Sequence, residues 1–357
     1  MISAFINRIG TANPAHDVHE AFLAFASANL PEGKSRAVFD RMANRSGIAH
    51  RFSHMRPGDL AAGEVDAGGF FQRRAFPGTA ARMAEYGRQA IELALVAVER
   101  LQPEGITHLI VASCTGFTAP GLDLQLAARL RLRADVARTM IGFMGCSAAV
   151  PALRAADHTV RADPHARVLV INIELCSLHL QETDDVESAL SLMLFGDGCS
   201  ATLVTAEPHG IRLGDFRSVI LPDSAGLITW TIGDQGFLMH LSGQVPGRIA
   251  QALRRDVEEG DPSGLLRGRA AAAYRHWAVH GGGRTVLDAV EIGLSLPPET
   301  LAYSRLVLND FGNMSSCTIM FVLAQMMADR AEGPGMAMAF GPGMVAETFR
   351  FTLEASA

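Results

Sequence analysis

Residues 107–150 read THLIVASCTGFTAPGLDLQLAARLRLRADVARTMIGFMGCSAAV, and this stretch decides the fold class. THLIVAS is an apolar run of strand length, LDLQLAARLRL carries its apolar residues at helical spacing, and RTMIGFMG is a second strand-like run. Two glycines then lead into Cys146 and an alanine-rich segment that reads as a helix. The rhythm recurs in the second half: HWAV ends at His280, TVLDAVEIGL reads as a helix, and RLVLNDFG reads as a strand ending before Asn313. Cys146 lies 32 residues after Cys114, and Asn313 lies 33 after His280. Two similar halves then set side chains at matching strand ends, where α/β proteins build their sites.

Outward from these stretches the pattern persists. ARVLVINIE, SATLVTAE and GMAMAFGPG read as buried strands, and AVPALRAADHTVR and ARMAEYGRQAIELALVAVERL as helices, so sheets covered on both faces are expected. Pro and Gly cluster in AEPHGIRLGDF at 206–216, which sets an expected division into residues 1–208, carrying Cys146, and 209–357, carrying His280 and Asn313. Of 357 residues 48% are hydrophobic and 19% charged, enough apolar material for a large core and too little polarity for a disordered chain. A net charge of −6 argues against a surface that neutralises nucleic-acid phosphates. No apolar run reaches the ~20 residues of a membrane span, and the start of the chain lacks a secretory pattern, so a cytoplasmic protein is expected. The five cysteines are scattered without ligand spacing, which fits neither a disulfide framework nor a zinc site; no metal is expected.

The chemistry narrows to three residues. Cys146, at the start of a helix, has its thiolate favoured by the positive helix end, and a neighbouring protonated histidine adds to this, so a partly preformed nucleophile is expected. His280 precedes Gly281, Gly282 and Gly283, which leave room for a substrate beside the imidazole. Asn313 supplies a donor whose charge does not change with pH. A cysteine with these partners suits either a papain-like hydrolase or a condensing enzyme in which His and Asn hold a thioester oxygen. The continuous strand-helix rhythm leans to condensation, and no G-x-S-x-G elbow accompanies the HGGG run.

Eight motifs in order carry a family likeness: IGTANP at 9–14, THLIVASCTGFTAPGLDLQL at 107–126, GFMGCSAA at 142–149, LFGDGCSA at 194–201, VPG at 245–247, HGGG at 280–283, GNMSS at 312–316 and FGPG at 340–343. The chain resembles the type III polyketide synthases of the chalcone and stilbene synthase superfamily. The resemblance implies a thiolase fold with a layered αβαβα core, a homodimer, and acyl-CoA and malonyl-CoA as substrates without metal or redox cofactor. It also implies Cys146 as acyl carrier, His280 and Asn313 as decarboxylation and oxyanion residues, and Phe195 as a gatekeeper. Arg41 and Arg45 match positions that hold the CoA phosphates. Cys114, Thr115, Cys176, His179 and Ser315 match residues lining the starter and elongation cavity.

Three departures stand out. Gly281 replaces the usual proline after the histidine, Met239 replaces a second gatekeeping phenylalanine, and Trp230 stands where plant enzymes have glycine. They argue against chalcone formation. VINIELCSLHLQET and LITWTIGDQGFLMHLSGQVPG are most similar to the bacterial branch that makes alkylresorcinols and alkylpyrones from long fatty acyl-CoA. Starters could arrive on CoA or from an acyl-carrier or fatty-acid synthase donor. The rivals are a single-extension enzyme of the ketoacyl synthase III kind, a thiolase-fold lipid or CoA binder without chemistry, and a Cys-His-Asn hydrolase.

Overall fold

The computed structural model describes residues 2–62 and 64–354. In chain order the first half contains β1 (Phe5–Ala12), β2 (His16–Asp17), α1 (His19–Asn29), α2 (Lys34–Ala43), β3 (Phe52–Ser53), α3 (Thr79–Leu101), β4 (His108–Ser113), α4 (Leu122–Arg129), β5 (Ala137–Gly142), α5 (Ala149–Ala162), β6 (Val168–Leu175), α6 (Val186–Leu192) and β7 (Asp197–Thr205). The second contains β8 (Ile211–Ile220), β9 (Ile228–Gly233), β10 (Gly236–Leu241), α7 (Val245–Glu259), β11 (His276–Val279), α8 (Arg284–Leu294), α9 (Ala302–Phe311), α10 (Thr318–Ala328), β12 (Gly333–Gly341) and β13 (Val345–Leu353).

Nine strands pair in the order β11-β12-β13-β8-β1-β7-β6-β4-β5. The join at β1 and β8 is only two residue pairs long, Phe5 with Arg212 and Ile6 with Ile211, so the strands form two sheets hinged at one edge. Outward from that join the halves match. β1, β7 and β6 pair antiparallel and then β4 and β5 run parallel; β8, β13 and β12 pair antiparallel and then β11 runs parallel.

The layers follow from which side chains each strand presents. β6 is apolar on both faces, as a strand covered on both sides must be. Val168 and Val170 pack inward with Leu153 of α5 and Val322 of α10, while Leu169 and Ile171 pack outward with Leu93 and Ala97 of α3. In the second half Ala337 and Ala339 of β12 join the same inner cluster, and Met336 and Met338 face Leu287 and Val290 of α8. Helices α5 and α10 therefore lie between the two sheets, with α3 and α4 outside one and α7 and α8 outside the other, while α9 sits at the β11 edge against both α10 and α8. This is the expected αβαβα core.

One expected element differs. RLVLNDFG, read as a strand, lies in helix α9 and its C-terminal turn. Leu301, Ser304, Val307 and Leu308 are its buried positions, a spacing of three to four that a helix satisfies and a strand of period two does not. β5 thus has no counterpart in the second half. The equivalence survives one step later, because Cys146 and Ser315 both lie in single 3-10 turns leading into the central helices α5 and α10. Among the described residues no helix is long and apolar enough to cross a membrane.

Candidate active site

After β5 the chain turns through Phe143 and Gly145, with φ of 54° and 60°, into the turn that holds Cys146. Gly145 is required twice over. Its backbone is left-handed, and a Cβ there would meet Pro342 Cδ at 2.1 Å. The Gly145 N–H donates to Cys114 Sγ at 3.0 Å, and Cys114 is buried beneath the turn. Cys114 therefore holds the Cys146 turn as well as lining the space beside it.

Asn313 is fixed through its backbone and its side chain. Its N–H donates to Leu194 O at 2.8 Å and its carbonyl accepts from Gly196 N at 3.0 Å, which locks Phe195 beside it. Its Oδ1 accepts from Ser315 N at 2.8 Å, and its Nδ2 donates to Gly282 O at 3.2 Å. These bonds set the amide orientation and leave the second Nδ2 hydrogen directed toward the Cys146 sulfur. His280 follows β11, anchored by its N–H to Met338 O at 2.8 Å. Its ring is buried, and both ring nitrogens lack a protein partner. The side chains of Ser315 and Asn313 reach the Cys146 sulfur, so the turn before α10, the glycines after His280 and the turn before α5 converge.

Electrostatics here differ from the local reading of a preformed thiolate. Burial pushes the Cys146 thiol up to about 11, against the lowering effect of Ser315 and Asn313. Burial also takes His280 down to about 4. Desolvation outweighs the helix end, so the sulfur keeps its proton until a base within the site accepts it. His280 is held neutral, with one nitrogen free to accept a proton and one N–H free to donate to an oxyanion, and both shifts oppose a resting thiolate–imidazolium pair.

The space beside Cys146 holds about 20 Å³, room for roughly one water. Cys114, Thr115, Cys176 and Ser315 line its inner side, and Phe195, Trp230 and Met239 its outer side. Trp230 and Met239 are register partners in the β9–β10 hairpin, and Trp230 Nε1 donates to Cys114 O at 2.8 Å. His179 is not among the lining residues. It lies one layer back, stacked on Phe237 with ring centroids 4.2 Å apart. Its Nε2 bonds Thr115 O at 2.7 Å, its Nδ1 accepts from Phe237 N, and burial lowers its pKa to about 3, so it supports the wall as a neutral ring.

A larger cavity of about 330 Å³ adjoins the site at Leu194, Gly282 and Gly283. Arg45 lines it; Arg41 lies on exposed α2 outside it. Arg284, which sequence reasoning passed over, also lines it and donates to Arg45 O at 3.3 Å. Among the described residues no group of three or more His, Cys, Asp or Glu is placed to hold a metal ion.

The model of the N-terminal domain of chalcone and stilbene synthases matches residues 3–208, and that of their C-terminal domain matches residues 215–353. The chain belongs to the chalcone and stilbene synthase family. Members are type III polyketide synthases, enzymes that condense CoA thioesters with decarboxylation and need no cofactor. A hydrolase and a non-catalytic binder are thereby set aside. Among solved structures the chain is similar to PKS-I from the brown alga Ectocarpus siliculosus, with 29% identity and a TM-score of 0.87 over 99% of this chain and 98% of that one. It is similar to 1,3,6,8-tetrahydroxynaphthalene synthase from Streptomyces coelicolor, with 25% identity and a TM-score of 0.86 over 99% and 100%. The C-terminal type III domain of Steely1 from Dictyostelium shares the fold at 23% identity, with a TM-score of 0.85 over 98% and 99%.

Within this type III synthase, one more buried group adjoins the site. Glu174 of β6 is fully buried and accepts from Ser316 Oγ at 2.6 Å, Thr115 Oγ1 at 2.9 Å and Cys114 N at 3.0 Å. Burial raises its carboxyl to about 7 despite those three donors. A glutamate inside the apolar run VINIEL was the signal for it.

Proposed function

We propose that this enzyme loads an aliphatic acyl-CoA onto Cys146, extends it with malonyl-CoA and cyclises the product to an alkylresorcinol, alkylresorcylic acid or alkylpyrone, as in the bacterial phenolic-lipid branch. The observation that supports the assignment of roles is the placing of Asn313, whose side chain reaches the Cys146 sulfur and bonds Gly282 O, two residues from the buried, unpartnered ring of His280. In loading, His280 takes the Cys146 proton as sulfur attacks the starter thioester, and that proton leaves with the CoA thiol. Malonyl-CoA then loses CO₂, and the enolate oxygen is held by an N–H of His280 and the second Nδ2 hydrogen of Asn313, which acylation of Cys146 releases. The enolate carbon attacks the Cys146 thioester, forming the new C–C bond and releasing the sulfur. Arg45 and Arg284 at the mouth of the larger cavity hold the CoA phosphates, a local cationic pair on an acidic protein.

An aliphatic starter is supported by the apolar part of the larger cavity's lining, where Met42, Val186, Leu190, Met193, Leu241 and Val286 offer surface that a hydrocarbon chain covers, beside the polar part that holds Arg45 and Arg284. The small inner space favours a second reading, a short aliphatic starter with few extensions, unless Trp230 or the pliable Met239 moves. A homodimer through β5 fits the same account. β5 is an edge strand paired only with β4, its residues are exposed, and Met140, Phe117 and Leu124 are large exposed apolar side chains near it.

Intact-protein mass spectrometry tests the roles directly. With a starter acyl-CoA alone, the wild type should gain one acyl group, and Cys146→Ala should gain none. An adduct that persists in Cys146→Ala refutes the assignment of the nucleophile.

A further inference from the structure

A second hollow opens at the opposite end of the strands that carry His280. It holds about 250 Å³ and is bounded by the starts of β8 and β12, the end of β13 and residues 269–274. β11 and β12 run parallel, so their starts face this hollow and their ends face the active site. Tyr274 lies six residues before His280, about 20 Å of extended chain. The hollow is therefore distinct from both cavities described above.

Its chemistry is cationic on a protein of net charge −6. Arg212, Arg269 and Arg350 line it against a single carboxylate, Asp215. Asp215 is already shared by Arg350 and Arg267, and Arg212 bonds Glu354. Four guanidinium groups thus meet two carboxylates, and Arg269 has no carboxylate partner among the described residues. The second observation is Tyr274. It is 7% exposed, lines the hollow, and its hydroxyl is buried with no hydrogen-bond partner. Burial raises its pKa, so at neutral pH that hydroxyl is a donor. Arg350 Nε is likewise buried and without a partner. Buried donors left unbonded are costly, and here they border the same cationic hollow.

We propose that this hollow binds a phosphate-bearing anion, held by Arg269 and Arg350 with the Tyr274 hydroxyl as a neutral donor. Guanidinium groups match phosphate oxygens in geometry and charge. The volume exceeds that of a single phosphate and admits a diphosphate or the phosphorylated end of a nucleotide.

Titration calorimetry of the full chain carrying Arg45→Ala and Arg284→Ala, which remove phosphate binding at the larger cavity, with inorganic pyrophosphate and in parallel with adenosine 3′,5′-bisphosphate, tests this. Saturable binding is expected, weakened about tenfold by Arg269→Ala and by Tyr274→Phe. Gly214 provides a variant that should not disturb the fold. It lines the hollow, and a Cβ there meets nothing within 4 Å. Gly214→Glu should abolish the binding while malonyl-CoA turnover, measured with Arg45 and Arg284 intact, stays at the wild-type rate. Equal affinity for the two ligands assigns a free phosphate as the natural occupant, and tighter binding of the bisphosphate assigns a nucleotide. Absence of saturable binding, or binding that Gly214→Glu and Arg269→Ala leave unchanged, overturns the proposal.

Discussion

Replacing Trp230 with alanine should lengthen the product. The indole forms one wall of a space that holds about 20 Å³, too little for even one added ketide unit. At interior packing density the indole itself fills roughly 150 Å³, and a –CH₂–CO– unit roughly 50 Å³, so its removal makes room for up to about three more extensions. The truncation should lower stability by roughly 3 kcal/mol, near the low end for a core Trp→Ala change because Trp230 is only partly buried. Part of that loss is the bond to Cys114 O, and Trp230→Phe isolates it. Phenylalanine keeps most of the bulk, so that variant should lose about 1 kcal/mol while its products keep the wild-type length. The assay is product mass with one fixed starter and excess malonyl-CoA, alongside a urea midpoint for each variant. A folded Trp230→Ala enzyme giving the wild-type product distribution would refute the placing of chain growth in this space.

Three further outcomes follow from the same geometry. Glu174 has a folded carboxyl raised to about 7 from its ordinary 4.5, so between those values the unfolded chain ionises while the folded one keeps its proton. Stability should therefore fall by roughly 3 kcal/mol as pH rises through that window and level off above it, and Glu174→Gln should abolish this part of the pH dependence in urea titrations. Gly145→Ala should shift the Cys146 turn, because its Cβ would overlap Pro342; kcat should drop at least tenfold with the far-UV spectrum retained. Arg45→Ala and Arg284→Ala should each raise the KM for malonyl-CoA about tenfold with little change in kcat, whereas equal losses in both constants would place these arginines in the chemistry.

Much of this was legible in the chain. The β4–α4–β5–α5 stretch reads as strand, helix, strand, helix because its periodicity is local, and the glycines before Cys146 mark a turn that sterics confirm at Pro342. RLVLNDFG was misread because a short apolar run with a β-branched residue satisfies both periods, and packing against α10, α8 and β11 selects the helix. The thiolate expectation failed for a related reason. The helix end is a local feature, whereas the burial that raises the Cys146 thiol comes from both halves of the fold. Glu174 was visible as a charge in an apolar strand, yet its partners Thr115 and Ser316 lie 59 and 142 residues away. His179 is expected in the lining because it matches a cavity position of the family, but the 3-10 turn that carries it with Cys176 sends its ring behind Trp230.

The proposed function turns on decarboxylative chain extension of an aliphatic starter on Cys146. Purified protein incubated with malonyl-CoA and acyl-CoA starters from acetyl to stearoyl, with products identified by mass, tests it most directly. Resorcinols or pyrones built from several malonyl units on aliphatic starters are expected, and none from Cys146→Ala. Single-extension ketoacyl products, or starter hydrolysis that proceeds without malonyl-CoA, would contradict it.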